Sequence, residues 1–252
     1  MRTTAGEHPP NSIKISRGWP ETVCTGLWRV FNALPEGRAK MRLRFFMAFN
    51  RIVPRFIQVR SPIRASIFKG SPESGNVVVD AGAFPGDFTV YASRRVGPSG
   101  RVIAFEPHPL NFERLRRNVA AFGCDNVIFV NKGLWSYDGQ LTISNDGGVS
   151  ATIGSHGLLI QVASLDHEIE RLGITKVDFI KMDIEGAEIR ALEGCGQILK
   201  TNDVRLAIGS YHEFEGQVTY PRVESILRDS GYETITEYPW RLNTYANRKL
   251  GQ

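Results

Sequence analysis

The sequence predicts an α/β domain with a mostly parallel sheet, preceded by a basic segment. Strand and helix signals alternate from residue 77 onward, which is typical of parallel strands joined by helical crossovers. The first strand, residues 77–79, is a run of three valines, suited to a strand that is buried on both faces. Turn-forming residues at 70–76 indicate a boundary between the segment 1–70 and the domain 71–252.

The individual elements follow from local patterns. Helices are predicted where apolar residues recur at helical spacing, and Gly123 ends one such pattern. Ser164 or Asp166 is expected to cap the third helix. The expected helices are residues 86–96, 111–122, 165–172, 187–199 and one that contains 223–228. The expected strands are residues 77–79, 101–105, 127–130, 177–182 and 205–208, with extended segments at 141–143 and 158–162 and a closing hairpin of 232–236 and 244–248.

The charges divide the chain into two unlike parts. Residues 1–70 contain 13 Lys and Arg against 3 Asp and Glu, a balance of +10. Residues 71–252 contain 18 against 23, a balance of −5, and the two parts together give the net charge of +5. A basic segment joined to a mildly acidic domain is not a uniformly basic surface, and no recognisable binding module accompanies it. Nucleic acid is therefore disfavoured as a partner.

Composition excludes several classes of protein. With 42% hydrophobic residues the chain is not generally disordered, and no apolar run approaches the roughly 18 residues of a membrane span. Cys24, Cys124 and Cys195 are scattered and odd in number, so they match neither a disulfide framework nor a zinc site. The first ten residues lack the apolar stretch of a secretory signal. We therefore expect a cytoplasmic protein, with peripheral contact at the inner membrane face as an additional option.

The most informative segment joins the first strand to the first helix and reads Asp-Ala-Gly-Ala-Phe-Pro-Gly over residues 80–86. Gly82 and Gly86 allow a tight turn whose backbone can approach a ligand closely. A dinucleotide fingerprint needs a third glycine, and the carboxylate of Asp80 would repel a pyrophosphate. A ligand that carries an ammonium and a sulfonium would not be repelled.

A second acid, Glu106, ends the next strand and precedes Pro107. It lies 24 residues after Gly82, where α/β nucleotide sites place a carboxylate on the ribose hydroxyls. The loop and this acid together describe a nucleoside crevice without a pyrophosphate clamp, and S-adenosylmethionine is the common cofactor that fits. The alternative interpretation is that the loop is an ordinary strand-to-helix turn and that Glu106 is an exposed residue at the end of a strand.

Three motifs resemble the FkbM family of S-adenosylmethionine-dependent methyltransferases: residues 80–86, Phe-Glu-Pro at 105–107, and Asp-Phe-Ile-Lys-Met-Asp-Ile-Glu-Gly-Ala-Glu at 178–188. The resemblance covers about residues 75–200. It implies a class I methyltransferase fold with a Rossmann-like sheet, and methylation of a hydroxyl on a sugar, glycan or natural product. The cofactor-binding residues that we expect from it are Asp80, Gly82, Ala83, Phe84, Gly86, Glu106, Pro107 and Asp183.

Removal of the hydroxyl proton requires a base or a metal, and the site of an open parallel sheet lies beyond the carboxyl ends of its strands. His212 follows the fifth strand and is the expected base, while Asp183 ends the fourth strand and is expected to align the acceptor. Glu185 is a further catalytic candidate, and Glu188 is assigned to the helix dipole. Asp183, Glu185, His212 and Glu213 could also bind magnesium or a similar ion, although no spacing identifies a metal site.

Residues 36–70 carry nine basic residues and one acid, interleaved with apolar side chains. Phe45, Phe49 and Ile52 recur at helical spacing within a helix predicted at about 38–53. This helix could pack on the domain as a cap with its arginines in water. It also suits an anionic membrane surface or a lipid-linked acceptor.

Two other functions remain open at this point. An NAD-dependent oxidoreductase would use the same type of sheet, but the loop lacks its third glycine. A non-catalytic protein that binds S-adenosylmethionine would share the crevice without transferring a methyl group. Residues 183–186 lack the prolines and the aromatic residue typical of nucleobase-amine methyltransferases, which favours an oxygen acceptor.

Overall fold

A central sheet organises the protein in the computed structural model, which describes residues 34, 37, 39–43, 66, 67, 69–143, 157–237 and 242–248. Within these residues the strands are β1 (Val77–Ala81), β2 (Arg101–Phe105), β3 (Val127–Val130), β4 (Gly133–Leu134), β5 (Gly139–Ile143), β6 (Leu158–Ala163), β7 (Phe179–Met182), β8 (Arg205–Gly209), β9 (Glu213–Phe214), β10 (Gln217–Val218), β11 (Tyr232–Glu237) and β12 (Asn243–Arg248). The helices are α1 (Asp87–Val96), α2 (Pro109–Ala120), α3 (Leu165–Arg171), α4 (Glu188–Glu193), α5 (Gly196–Thr201) and α6 (Tyr220–Asp229).

Seven strands form the main sheet in the order β11-β12-β8-β7-β1-β2-β3. The five strands from β8 to β3 run parallel, and β12 and β11 add an antiparallel hairpin at one edge. The predicted fold class is therefore confirmed. The chain first builds outward from β1 through β2 to β3 and later returns on the other side as β7. The gap beyond the ends of β1 and β7 is consequently the topological switch point, where open α/β sheets bind ligands.

Helices cover both faces of this sheet, which explains the unbroken apolar run in β1. Val78 packs on one face with Phe88 and Ala92 of α1. Val79 packs on the other face, in a cluster that includes Ile189 of α4 and Leu227 of α6. A strand that is buried on both sides has no polar face to show, so its sequence does not alternate.

The helix predicted over 187–199 is wrong as a single element, since α4 and α5 replace it. Gly194 separates them at a point where a Cβ would overlap the carbonyl oxygen of Trp135. Asp166 accepts hydrogen bonds from the backbone of Gln197 and Ile198, at 2.8 and 2.9 Å, and so caps α5. Ser164 caps α3 instead, accepting from the backbone N–H of His167 at 3.4 Å. Contacts with residues that are distant in the sequence thus determine where the predicted helix is interrupted.

Short strands account for the remaining differences. The predicted extended segments at 141–143 and 158–162 pair as β5 and β6, with β4 parallel to β6. β4, β9 and β10 have two residues each and are not predicted from the sequence, because two residues carry no periodic signal.

Part of the N-terminal segment packs on the domain. Residues 39–43 are helical, and Met41 is fully buried in a cluster with Ala83, Leu115 and Val119. The rest of the helix predicted at 38–53 lies outside the described residues. Within the described part of the chain, every helix is too short or too polar to span a bilayer.

Candidate functional site

Residues from four separate segments meet at one edge of the main sheet. The last residues of β1, β2 and β7 are in register, so Gly82, Glu106 and Asp183, each directly after its strand, lie side by side. β8 is next to β7, and His212 follows it. We call residues 80–86 and 106–108 the glycine-loop rim, and residues 183–188 and 209–212 the histidine rim.

Gly82 brings the two rims into contact. Its φ of +72° lies in the left-handed region that favours glycine. A Cβ at this position would overlap the backbone carbonyl oxygen of Asp183. The N–H groups of Gly82 and Ala83 both donate to the carbonyl of Phe105, at 3.1 and 2.9 Å. The turn is therefore held against both neighbouring strands.

Asp80 is fully buried behind the glycine loop and is charge-compensated within the chain. It accepts a hydrogen bond of 2.6 Å from the Thr89 hydroxyl, and its other oxygen lies 3.0 Å from Nζ of Lys181. Lys181 also donates to the carbonyls of Ala81 and Gly82, at 3.1 and 2.8 Å. This lysine therefore holds both the acid and the loop backbone. Direct contact between Asp80 and a cofactor stays a prediction.

No role is predicted for Lys181 from the sequence, although a signal for one exists. It lies in β7 between Ile180 and Met182, which are both fully buried. A lysine inside an apolar strand is almost always paired, because burying an isolated charge is too costly.

Glu106 is buried at the floor of the glycine-loop rim. Its two carboxylate oxygens accept hydrogen bonds from the backbone N–H groups of His108, at 3.0 Å, and of Phe84, at 3.4 Å. Burial raises the pKa of Glu106 to about 7, against the lowering effect of these two N–H groups and of Lys181. The side chain thus changes charge near neutral pH. Its contact with a ribose stays a prediction.

Two further side chains shape this rim without having been predicted. The amide of Asn131 donates to the carbonyls of Glu106 and Pro107, at 2.8 and 3.1 Å, and so fixes the turn after β2. His108 is 1% exposed, and both ring nitrogens lack a hydrogen-bond partner within the described residues. Because buried polar atoms usually have a hydrogen-bond partner, these nitrogens are candidates for contact with a bound ligand. Asn131 could have been noticed in the sequence, because it is a polar residue directly after β3, at the end of a parallel strand.

The other predicted cofactor residues take different positions. Ala83 turns its methyl group into the apolar cluster with Leu115 and Val119, whereas Phe84 is half-buried and contributes its N–H to Glu106. Gly86 precedes α1 at φ +107°, and a Cβ there would lie 3.1 Å from Val119. Pro107 is half-buried beside Glu106. Their contacts with a cofactor stay predictions.

The histidine rim gathers three acids around one imidazole, and we call Asp183, Glu185, Glu188 and His212 the His212 cluster. Nε2 of His212 lies 3.4 Å from a carboxylate oxygen of Asp183 and 3.4 Å from one of Glu185. Nδ1 lies 2.8 Å from a carboxylate oxygen of Glu188. The structure thus brings the three predicted catalytic residues together.

Glu188 does more than the helix-dipole role predicted for it. It is the first residue of α4, is fully buried, and accepts a hydrogen bond of 3.0 Å from the backbone N–H of Ile184. The same oxygen faces His212. Glu185 lies before α4 with a φ of +58°, so the expectation that both acids share the first turn of a helix is wrong, and the turn at 184–187 brings them to His212 instead.

Tyr211 and Gly209 complete the histidine rim. The Tyr211 hydroxyl donates to Asp183 at 2.9 Å, and its ring lies 3.9 Å from the His212 ring, centroid to centroid. A Cβ at Gly209 would lie 2.9 Å from a carboxylate oxygen of Asp183. Glycine at this position therefore leaves room for the Asp183 carboxylate beside the tyrosine.

The electrostatic environment of His212 favours its charged form. Burial lowers the pKa of the imidazole, but the hydrogen bond and charge of Glu188, with the charges of Asp183 and Glu185, outweigh it and raise the pKa above its ordinary value. Asp183 and Glu185 are partly open to solvent, with 38% and 22% of their side chains exposed. A ligand can therefore reach the carboxylates but not the buried Glu188.

The donor atoms of Asp183, Glu185 and His212 lie within 4.8 Å of one another, as metal ligands do. Glu213, the fourth ligand candidate from the sequence, is exposed and lies outside this group. Oxygen and imidazole donors in this combination suit a divalent cation.

Comparisons with known proteins show the family to which the chain is similar. A family model for the methyltransferase FkbM domain matches residues 80–234. That range contains the three motifs and His212, and it confirms the family resemblance predicted from the motifs.

Similar proteins cover this chain to different extents. The methyltransferase sdnD of Sordaria araneosa is 27% identical over 197 residues, 64% of this chain and 74% of that protein. The hexuronic acid methyltransferase AglP of Haloferax volcanii is 30% identical over 135 residues, 51% of this chain and 54% of that protein. The crystal structure of methyltransferase FkbM from Methylobacillus flagellatus superposes with a TM-score of 0.55 at 19% identity, covering 89% of this chain and 59% of that one. This chain thus spans little more than half the length of the last two, and the superposition shows a shared fold.

Proposed function

The chain belongs to the methyltransferase FkbM family, and on that premise we propose that it methylates a hydroxyl of a sugar, glycan or natural-product acceptor. Membership of this family makes it a methyltransferase that depends on S-adenosylmethionine. An oxidoreductase function, which the sheet type alone left open, has no support from the family match. We propose in addition that the methyl group is transferred to an oxygen, and that this oxygen belongs to a sugar, glycan or natural product.

The glycine-loop rim fits S-adenosylmethionine. When bound, this cofactor supplies a methyl group on a positively charged sulfur. Glu106 offers a buried carboxylate for the ribose hydroxyls, and the two unpartnered ring nitrogens of His108 lie in the same turn. Gly82 keeps the loop close to the end of β7. The backbone and these side chains would bind the nucleoside and direct its methionine end toward the histidine rim.

The contact between Gly82 and Asp183 is the observation that carries the proposal. This contact places the His212 cluster directly beside the glycine loop, at the topological switch point of the sheet. A hydroxyl that attacks the methyl group must lose its proton, and the cluster can assist in two chemically distinct ways. Nε2 of a neutral His212 can accept the proton, or the cluster can hold a cation that lowers the pKa of the hydroxyl.

Two observations support a hydroxyl acceptor on a sugar or related molecule. Residues 183–186 lack the pattern that is typical of nucleobase-amine methyltransferases. The relative from Haloferax volcanii is named for a hexuronic acid, which is a sugar with several hydroxyls. Both point to an acceptor that offers oxygen rather than an amine.

The test is an acceptor screen with S-adenosylmethionine labelled in its methyl group. The panel contains nucleotide sugars, oligosaccharides, lipid-linked glycans and small hydroxylated natural products, each paired with an analogue that lacks one hydroxyl. We expect label on an oxygen of at least one acceptor, and no label on the analogue that lacks that hydroxyl. Label on nitrogen or carbon would contradict the proposal. Binding of S-adenosylhomocysteine without transfer to any acceptor would favour the non-catalytic alternative.

We also propose that the basic residues of 36–70 bring the protein to an anionic membrane surface or a lipid-linked acceptor. The charge of the segment supports this. Co-sedimentation with vesicles of anionic and of neutral lipid tests it. We expect binding to the anionic vesicles that weakens as salt is raised, and equal recovery with both vesicle types would contradict it.

A further inference from the structure

We propose that Asp183, Glu185 and His212 form a binding site for one divalent cation of the magnesium or manganese type. The site lies at the reacting end of the crevice, beside the glycine loop. The proposal goes beyond methyl transfer itself, and its test reads the cation directly. The acceptor preference of this site rests on the proposed function, whereas binding of the cation does not.

The spacing of the donor atoms fits a cation better than it fits hydrogen bonds. Nε2 of His212 lies 3.4 Å from an oxygen of Asp183 and 3.4 Å from an oxygen of Glu185. Charge-assisted hydrogen bonds from nitrogen to a carboxylate are usually about 2.7–2.9 Å long. Ligands at about 2.1–2.4 Å from a cation in neighbouring octahedral positions lie about 3.0–3.4 Å from each other.

The histidine is aimed into the space between the two carboxylates. Its side chain is 7% exposed, and Nε2 has no hydrogen-bond partner within the described residues. Nδ1 faces Glu188 at 2.8 Å. In the neutral imidazole that binds a metal, the proton is therefore on Nδ1, and the lone pair of Nε2 faces the carboxylates of Asp183 and Glu185. Metal-bound histidines are typically oriented in this way by a carboxylate on the other ring nitrogen.

The surrounding groups also orient the carboxylate ligand. The Tyr211 hydroxyl donates to one oxygen of Asp183 at 2.9 Å, which restrains the carboxylate. Glu188 is held in turn by the backbone N–H of Ile184. Such outer contacts typically change metal affinity about 10–100-fold when they are removed.

The charge balance of the His212 cluster agrees with a divalent ion. Asp183, Glu185 and Glu188 bring three carboxylates to one imidazole, which supplies at most one positive charge. The nearby ammonium of Lys181 is engaged with Asp80 on the other rim. Carboxylate ligands dominate the site, and they favour magnesium or manganese over metals that prefer thiolates.

A cation at this place would select the acceptor. Three protein ligands would leave coordination positions open on the solvent side, where Asp183 and Glu185 are partly exposed. A molecule with two neighbouring oxygens, such as a vicinal diol or a hydroxyl beside a carboxylate, fits two such positions. His212 then acts as a ligand, and the bound cation lowers the pKa of the acceptor hydroxyl.

The test is manganese binding to the full chain after treatment with a chelator, followed by electron paramagnetic resonance and by calorimetry. We expect one Mn²⁺ per chain, with spin-echo modulation from a coordinated imidazole nitrogen in the unsubstituted protein. Asp183→Asn, Glu185→Gln and His212→Ala should each weaken binding at least tenfold. Glu213→Gln is the matched control, because it removes a neighbouring exposed carboxylate, and it should bind Mn²⁺ like the unsubstituted protein.

Failure of this site can be told apart from failure of the proposed function. The absence of stoichiometric Mn²⁺ binding, or binding without an imidazole signal, would overturn the site even if every variant failed to fold. Full methyl transfer in excess chelator would overturn the role of the cation in selecting the acceptor and leave the proposed function intact. Stoichiometric Mn²⁺ binding with no transfer to any acceptor would support the site and contradict the proposed function.

Discussion

The glycine-loop rim and the histidine rim lie at the same edge of one sheet, yet they hold their acids differently. On the glycine-loop rim each acid has a partner within the chain: Asp80 has Lys181 and Thr89, and Glu106 has two backbone N–H groups. On the histidine rim three carboxylates share one imidazole. On the first rim the charge of Asp80 is compensated by Lys181 before a ligand binds, whereas the second rim has more carboxylates than cations and stands to gain from an added positive charge or a polar acceptor.

This difference indicates a division of labour. A rim whose acids are already held in place by the chain binds a ligand at a low cost in ordering, which suits a cofactor that is common to many reactions. A rim with excess negative charge changes its properties with what it binds, which suits the acceptor end. Substitutions on the glycine-loop rim should therefore weaken binding of the cofactor, and substitutions on the histidine rim should lower turnover. A substitution that breaks the contact between the rims should affect both.

Gly82→Ala should have the largest effect, because it breaks that contact. The new Cβ would overlap the Asp183 carbonyl at a φ of +72°. We expect a loss of about 3 kcal/mol or more in the free energy of unfolding, with binding of S-adenosylhomocysteine and turnover both abolished. Urea unfolding and calorimetry measure these quantities.

Gly173→Ala is the matched control for this prediction. Gly173 follows the end of α3 with a similar φ of +66°, but a Cβ there would meet no atom within 4 Å. It should cost only about 1–2 kcal/mol and leave binding intact. Equal effects of the two substitutions would show that the contact between the rims is unimportant.

Lys181→Met should destabilise the protein by about 3 kcal/mol, since it leaves the charge of Asp80 buried without its partner. Adding Asp80→Asn to the same chain removes that charge and should restore most of the stability. Urea unfolding of the two proteins checks this. A double variant that is no more stable than Lys181→Met would be inconsistent with the ion pair.

The pH dependence of cofactor binding should report on Glu106. Its pKa of about 7 means that the carboxylate needed for ribose hydroxyls is increasingly protonated as the pH falls below 7. The dissociation constant of S-adenosylhomocysteine should therefore be about tenfold higher at pH 6 than at pH 8. Glu106→Gln should weaken binding and remove this slope. An unchanged affinity from pH 6 to pH 8 in the unsubstituted protein would rule out the assignment.

Tyr211→Phe should have the smallest effect and should be confined to the histidine rim. It removes the hydrogen bond to Asp183, which is typically worth about 1 kcal/mol. Turnover should fall about fivefold while the affinity for S-adenosylhomocysteine stays the same. A change in affinity of similar size would mean that the two rims are not separable in this way.

The sequence predicted those parts of the molecule that depend on local patterns. The valines of β1, the glycine loop and Glu106 at the end of β2 are local signals, and the sheet they predict is present. The break between α4 and α5 was missed, because it depends on the contact of Gly194 with Trp135, far away in the chain.

Prediction of the site from the sequence is limited in the same way, because local patterns do not identify contacts between distant residues. Asp183, Glu185 and His212 could be chosen because each lies near the end of a parallel strand, where sites form. The approach of Glu188 to Nδ1 of His212, and the pairing of Lys181 with Asp80, are tertiary contacts between distant residues. Residue type and position indicate that such a group needs a partner, but they do not identify it.

The most direct test of the two-rim account is calorimetric titration of S-adenosylhomocysteine into the unsubstituted protein, Glu106→Ala and His212→Ala, with turnover measured on the same preparations. The account predicts that Glu106→Ala weakens binding at least tenfold. His212→Ala should bind within twofold of the unsubstituted protein yet lose about 100-fold in turnover. Equal loss of binding in both variants, or full turnover in His212→Ala, would contradict it.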